Sequence, residues 1–545
     1  MTRPARFKPN QAHMVVLVLG AVHALSFAPG PLPGWTLPYV QVFSLAALFH
    51  RLFRSDTHWQ AAGYAFLFGV SNFTLGLYWL FISMHKYGGL TWPLAALGVF
   101  ILACFLAFYP MLAALLARYA GTGRIDRATL TVPAQLLIMA VWASAWTLLE
   151  WLRGTFLTGF PWMGTGYAHV EGVFAAWAPI TGVYGLAWMA SFSAAAIAMF
   201  FRRPDTRNDV RSMAGIAVAL TFGLGGILLG YMRWTHPHGE PIVVRLTQGA
   251  VPQSEKFDPD LIYQGIRRYM ELAATPAKSP EGQPVLIVLP ETVVPVFQDL
   301  LAAELWDEWR KIAAAQNAEI LMGVPVRDND GTHYTNSAIA FNGSTPLDAL
   351  TSGQLAQRYD KHHLVPFGEF VPPGFRWFVD AMSIPLGDFD RGVLGQTPFS
   401  IQGQRIAPNI CYEDVFGEEI VHAVRNSGAN DTGATMLINM SNLAWFGNSW
   451  ALRQHLQISR LRAIETGRPM LRATNTGMTA AIAPSGHVGA VLNPGSAGIL
   501  DVEVQGTQGL TPYVKWGNMP ILAWSLFMLL AGIAYRKRKG LAQKI

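Results

Sequence analysis

Eight apolar stretches divide this chain, and they constrain its fold more than any other feature. They run near 12–28, 36–53, 60–83, 91–117, 132–152, 178–201, 212–232 and 518–535. About 20 apolar residues cross a bilayer as a helix, and lipid offers no partner to an unpaired N–H or C=O, so such stretches are predicted helices. The first two are short and read as a bent or tilted pair. Hydrophobic residues make up 51% of the chain and charged ones 14%, against about 25% charged in a typical globular protein. The formal net charge of +6 does not point to nucleic acid, because the basic residues lie between apolar segments instead of forming one patch.

Their placement is a topology signal. Arg3, Arg6 and Lys8 precede the first stretch, and Arg51 and Arg54 follow the second. Arg118, Arg124 and Arg127 follow the fourth; Arg202, Arg203, Arg207 and Arg211 follow the sixth; Arg536, Lys537, Arg538 and Lys539 follow the last. The alternate loops hold almost no Lys or Arg apart from Lys86 and Arg153 at helix ends. Eight spans with both termini in the cytoplasm satisfy this asymmetry. Residues 1–235 are then a seven-span bundle, 236–515 a domain outside the cytoplasm, and 516–545 a last span with a basic cytoplasmic tail. The start, with "VVLVLGAVHALSFA" after basic residues, also fits a cleavable signal peptide. No small-residue cleavage site precedes Pro29, so the first span is expected to be retained.

Residues 236–515 read differently. Strand-like runs such as "IVVRLTQG", "VLIVLPE", "AEILMGVP", "RIAPNICYE", "ATMLINMS" and "MLRATNT" alternate with helical patterns near 259–274, 299–316, 414–426 and 449–467. That alternation predicts an α/β domain with a largely buried sheet.

In open α/β sheets, ligands gather beyond the carboxyl ends of the strands. Glu291 closes "VLIVLPE", and Cys411 closes "RIAPNIC" where a helix pattern begins. Lys361, in "RYDKHHLVPFGEF", follows another short strand. A carboxylate to take a thiol proton, an ammonium to stabilise an oxyanion and a thiol to attack form a coherent set. A helix N-terminus would favour the thiolate. On the residues alone the alternatives stay open. Cys411 fits a small buried hydrophobe, Glu291 a helix cap and Lys361 a solvated loop. Cys104, in "FILACFLAFYP", reads as core or lipid-facing filler, too far away for a disulfide framework. His362 and His363 point apart on a strand with no third ligand spaced to help, so no metal is expected. Glu150 and Arg153, three apart near a helix end, read as a local ion pair.

The set "LPET", "YDKHHLVPFGEF" and "NICYED" resembles the Glu–Lys–Cys triad of the carbon–nitrogen hydrolase (nitrilase) superfamily. The multi-span frame around it resembles the apolipoprotein N-acyltransferase family over essentially the whole chain. "LTGFPW" at 157–162, "QGAVPQ" at 248–253, "YTNSA" at 334–338, "SNLAWFG" at 441–447 and "NTGMTA" at 475–480 add to that resemblance. It implies a membrane α-helical bundle plus an α/β nitrilase-like αββα sandwich on the outer face of the inner membrane. It also implies Glu291 as general base, Lys361 as oxyanion stabiliser and Cys411 as acylated nucleophile. Glu369, Tyr412 and Glu413 match supporting active-site positions. The implied donor is a phospholipid, with phosphatidylethanolamine expected, and the acceptor is the α-amino group of a diacylglyceryl-cysteine lipoprotein. No metal or nucleotide cofactor is implied. Phe257 stands where the family pattern leads us to expect Trp.

Lipid-anchored substrates suit a membrane-held catalyst, because lifting acyl chains into water costs about 0.8 kcal/mol per methylene. Two other readings compete. A membrane-tethered amidase would use the same triad with water as acceptor. A transporter with an inert appendage would need ionisable residues inside the spans, which show almost none away from their ends.

Overall fold

The computed structural model describes residues 9–27, 29, 32–121, 130–201, 210–277, 282–328, 330–377, 388–425 and 433–542. Arg3, Arg6, Lys8, Arg124, Arg127, Arg202, Arg203 and Arg207, which carry much of the topology argument, lie outside them. The chain divides into two compact units. One comprises 1–78, 93–232 and 516–545; the other comprises 79–92 and 233–515.

The first unit is helical. Every apolar stretch carries a helix: Pro9–Ala24, Leu37–Phe53, His58–Gly76, Trp92–Ala120, Val132–Thr155, Ala178–Phe200, Val210–Leu229 and Met519–Ala542. Among the described residues, however, only four helices are both long and apolar enough to cross a membrane, or five if His58–Gly76 and the helix bent from it by 51° count as one span. That is fewer than the eight expected. Pro9–Ala24 is short: its 16 residues at 1.5 Å each give about 24 Å against a hydrocarbon core of about 30 Å. Inside this unit a few ionisable groups are buried, and local partners satisfy them. His23 bonds Ser44 at 2.9 Å, and His169 bonds Gln41 at 2.8 Å. Glu150 and Arg153 do not act as a simple ion pair. Glu150 accepts from the Thr165 N–H and hydroxyl, while Arg153 donates to the carbonyls of Phe160 and Trp162. Both therefore hold the 156–165 turn. Cys104 lies half-buried in Trp92–Ala120.

The second unit contains twelve described strands: β1 His236–Gln248, β2 Leu286–Val288, β3 Glu319–Arg327, β4 Tyr334–Phe341, β5 Arg358–Asp360, β6 Phe399–Ile401, β7 Gln404–Ile410, β8 Met436–Ser441, β9 Met470–Thr474, β10 Ala480–Ile482, β11 Val488–Val491 and β12 Gly498–Gln508. They form two six-stranded sheets, in order β12-β1-β2-β3-β4-β5 and β11-β10-β9-β8-β7-β6. In each, three central strands run parallel: β1, β2 and β3 in one, β7, β8 and β9 in the other.

Strand alternation explains the layering. Side chains of period two point to opposite faces, and a parallel sheet needs both faces covered. Leu286 and Val288 of β2, Ile406 and Ile410 of β7, and Met436 and Ile438 of β8 are among the side chains forming one buried core between the sheets. Their neighbours face outward. Ile287 and Ile320 pack with Trp306 and Trp309 of helix Ala303–Gln316. Ala407 and Leu437 pack with Ile420 and Val424 of helix Gly417–Arg425. The layers are thus helix, sheet, sheet, helix, the αββα sandwich that the resemblance implied, where the strand pattern alone suggested one sheet. Helix Ala303–Gln316 begins four residues later than the sequence pattern, with Ala302 extended at its N-cap.

Residues 79–92 belong to this unit although they interrupt the apolar series. They form a short helix, Trp79–Ile82, and a π-helical turn, Ser83–Tyr87. Trp79 donates its ring N–H to Gln454 at 3.0 Å, and its ring meets Phe446 at 4.6 Å.

Candidate active site

Glu291 and Cys411 sit just past the carboxyl ends of β2 and β7, and Lys361 follows β5. Sheet packing therefore brings together residues separated by 70 and 50 positions. The Lys361 ammonium lies 3.5 Å from Glu291 Oε1 and 2.9 Å from Glu369. Asn336, on β4, donates its amide to both carboxylates, at 2.8 Å to Glu291 and 2.7 Å to Glu369. The two acids thus share an ammonium and an amide, which offsets their mutual repulsion. The Asn442 N–H holds the other Glu291 oxygen at 3.0 Å, and the Val365 N–H holds Glu369 at 2.8 Å.

Lys361 is fully buried. Burial alone would discharge it, but Glu369 and Glu291 outweigh that and hold its pKa above the ordinary lysine value. It is a fixed cation.

Cys411 adopts φ 54°, the left-handed region that costs a non-glycine residue about 1–3 kcal/mol. Thr292, next to Glu291, does the same at φ 53°. Both turns redirect the chain abruptly after a strand. A helix N-terminus was expected to favour the thiolate, and the surroundings of Cys411 act the other way. Burial, then Glu291, push the Cys411 pKa well above the usual thiol range, and Lys361 offsets this only in part. No long helix stack opposes this, because Cys411–Val415 is a single five-residue 3-10 turn and a helix dipole acts through a longer aligned stack. The helix proper begins at Gly417. Cys411 is therefore a thiol that needs a base.

Glu413 does not reach toward the chemistry. Its carboxylate accepts from the N–H groups of Ile410 at 2.6 Å, His362 at 2.7 Å and His363 at 3.1 Å, and from the Tyr359 hydroxyl at 2.9 Å. It ties the Cys411 turn to the Lys361 loop. Burial raises its pKa against those bonds and Lys361. Tyr412 is buried, with its ring 5.1 Å from Phe416 and 5.9 Å from His363. His362 and His363 take separate partners, the Gly392 carbonyl and Glu419. Phe257 lies 6.4 Å from Trp445.

Some site residues escaped the sequence reading. Asn336 and Asn442 lie within "YTNSA" and "SNLAWFG", which carried resemblance but no assigned chemistry. Asp414, behind the Cys411 turn, is buried against His455 at 2.8 Å, Arg472 at 3.3 Å and the Ser459 hydroxyl. Nothing in spacing marks that cluster, because its members come from three elements.

Two back-to-back sheets that carry Glu291, Lys361 and Cys411 at strand ends define a domain of the carbon–nitrogen hydrolase class, and residues 250–513 match the carbon-nitrogen hydrolase family. Residues 19–196 match the apolipoprotein N-acyltransferase N-terminal domain. An apolipoprotein N-acyltransferase of Bordetella bronchiseptica is 51% identical over 532 residues, 96% of this chain and 97% of its own. Those of Ralstonia nicotianae and Nitrosomonas europaea are 43% and 38% identical, covering 96% and 95% of this chain and 94% and 96% of their own. The chain belongs to the apolipoprotein N-acyltransferase family.

Proposed function

We propose that this protein is a membrane N-acyltransferase that transfers an acyl chain to a lipoprotein through a thioester on Cys411. The observation that carries the reading is the buried Glu291–Lys361–Glu369–Asn336 cluster beside a thiol whose pKa burial and Glu291 push up. Glu291 takes the proton from Cys411 Sγ as the sulfur attacks the donor's ester carbonyl. Lys361 stabilises the oxyanion of the tetrahedral intermediate. The ester C–O bond breaks, the leaving glycerol oxygen receives the proton from Glu291, and lyso-phospholipid departs. The acceptor's α-amino group then attacks the thioester, again losing its proton to Glu291, and the amide forms as Cys411 regains its thiol. Two half-reactions through one sulfur imply ping-pong kinetics.

The donor in this reading is a phospholipid, phosphatidylethanolamine by expectation, and the acceptor is a diacylated lipoprotein. The protein crosses the inner membrane eight times, with 236–515 on the periplasmic side. Its apolar helices and family membership support a membrane-held catalyst. The test is to incubate detergent-purified protein with acyl-labelled phosphatidylethanolamine and a diacylated lipopeptide. Labelled triacylated product is expected. Free fatty acid as the main product, with no amide, would turn the reading into the amidase one.

A further inference from the structure

The centre holds a second lysine that the triad chemistry leaves unused. Lys256 ends the short helix Gln253–Lys256 and is 6% exposed. Its Nζ donates to the main-chain carbonyl of Glu291 at 3.0 Å. An ammonium carries three N–H groups, and a neutral carbonyl does not balance its charge. The ionisable groups that face it are Glu291 and Cys411; Glu255, on its own helix, is exposed. Lys361, by contrast, is held between two carboxylates. Of the two ammoniums in the centre, one is hydrogen-bonded to acids, and the other, among the described residues, is anchored to the backbone of the base.

We propose that Lys256 is a positioning residue of the acyl-transfer centre: it fixes the Glu291 main chain and adds a second positive charge beside Cys411, so that the sulfur's proton passes to Glu291 efficiently only while Lys256 is charged. The proposal rests on the acyl-transfer reading above. Burial draws the Lys256 pKa down to about 8, against the opposing pull of Glu291 and Cys411. As pH rises through that value the charge is lost. Lys361, held above its ordinary value, and Cys411, pushed well above the thiol range, do not titrate in that interval.

The test uses the first half-reaction alone, which removes the acceptor amine's own titration. The full chain in detergent is mixed with acyl-labelled phospholipid and no acceptor, on either side of pH 8. The initial burst of lyso-phospholipid and the label on the Cys411 peptide are followed. The parent rate is expected to fall as pH rises through about 8. Lys256→Met should lower the neutral-pH rate on the order of 10²-fold and abolish the falling limb. Lys256→Arg should restore much of that rate and move the limb to higher pH, because a guanidinium stays charged. A parent rate that is flat or rising through this interval overturns the proposal, and does so even where Lys256→Met fails to fold. So does a falling limb that persists in Lys256→Met, or a Lys256→Arg protein no faster than Lys256→Met. Absence of any Cys411 adduct at every pH sinks the acyl-transfer reading and this proposal with it. An adduct that forms without the Lys256 signature overturns the proposal alone.

Discussion

At the scale of single residues, the centre divides charge among neighbours whose surroundings differ. Cys411 is kept as a thiol by burial and by Glu291, so its reactivity depends on a base within the same cluster. Cys411→Ala should therefore never acquire the hydroxylamine-sensitive acyl adduct that mass spectrometry detects on the parent, whereas Cys104→Ala should load normally. Formation of triacylated product by Cys411→Ala at a comparable rate would rule out the thioester route. Glu291→Gln should lose turnover, since an amide of the same size cannot accept a proton and its NH2 can accept from neither the Asn442 N–H on one side nor Asn336 and Lys361 on the other; circular dichroism should still show the parent fold. Lys361→Arg should fail as well. A planar guanidinium cannot occupy the compact space shared by Glu291 and Glu369, and losing one preorganised donor typically costs roughly 10²–10³ in rate. Near-normal initial rates in either variant would reassign the roles. Glu291, Lys361 and Cys411 stood out in the sequence because each ends or follows a strand pattern, and the motif resemblance supplied their expected roles. Lys256, Asn336 and Asp414 were not, because a polar residue in a loop or on a strand discloses its partner only when another element arrives beside it.

At the scale of elements, two features set the precision of the site. Gly323 of β3 lets the 290–292 turn pass close by: a Cβ added there would meet Glu291 Cα and the Thr292 N–H nitrogen, each at 2.6 Å. Those are backbone atoms, so the turn would have to move. Gly323→Ala should thus retain its circular dichroism yet lose on the order of 10²-fold in kcat, the usual result of displacing a catalytic group by about 1 Å. An unchanged kcat would show that the Glu291 turn tolerates displacement. The second feature is structural. Arg245 on β1 is fully buried and pairs bidentately with Asp501 on β12 at 2.8 Å. Removing one partner of such a pair leaves an uncompensated buried charge, at a cost of about 3–5 kcal/mol. Arg245→Ala should lower the melting temperature of the purified protein markedly, and an unchanged melting curve would contradict this assignment.

At the scale of the whole molecule, the proposed topology makes a separate prediction. A reporter enzyme fused after Lys544 should behave as cytoplasmic, and one inserted near Asp330 as periplasmic; the reverse pattern would undo the eight-span reading. Among the described residues, four or five helices meet the length and polarity needed to cross a bilayer, while Pro9–Ala24 falls short of a full crossing by length.

The sequence by itself determined the local events. Apolar length predicted a helix for each of the eight stretches, and short strand-like runs between helical patterns predicted β1, β2, β3, β7, β8 and β9, because these depend on residues near one another in the chain. Tertiary structure alone decided the rest. The two-sheet layering follows from which faces of β2, β7 and β8 meet, and none of these strands records its partner. The 79–92 segment groups with the α/β unit through Trp79, Gln454 and Phe446, a contact spanning more than three hundred positions. The thiol state of Cys411 reverses the expectation from its place at a turn, because burial and the charge of Glu291 act through space and outweigh the short turn that follows it.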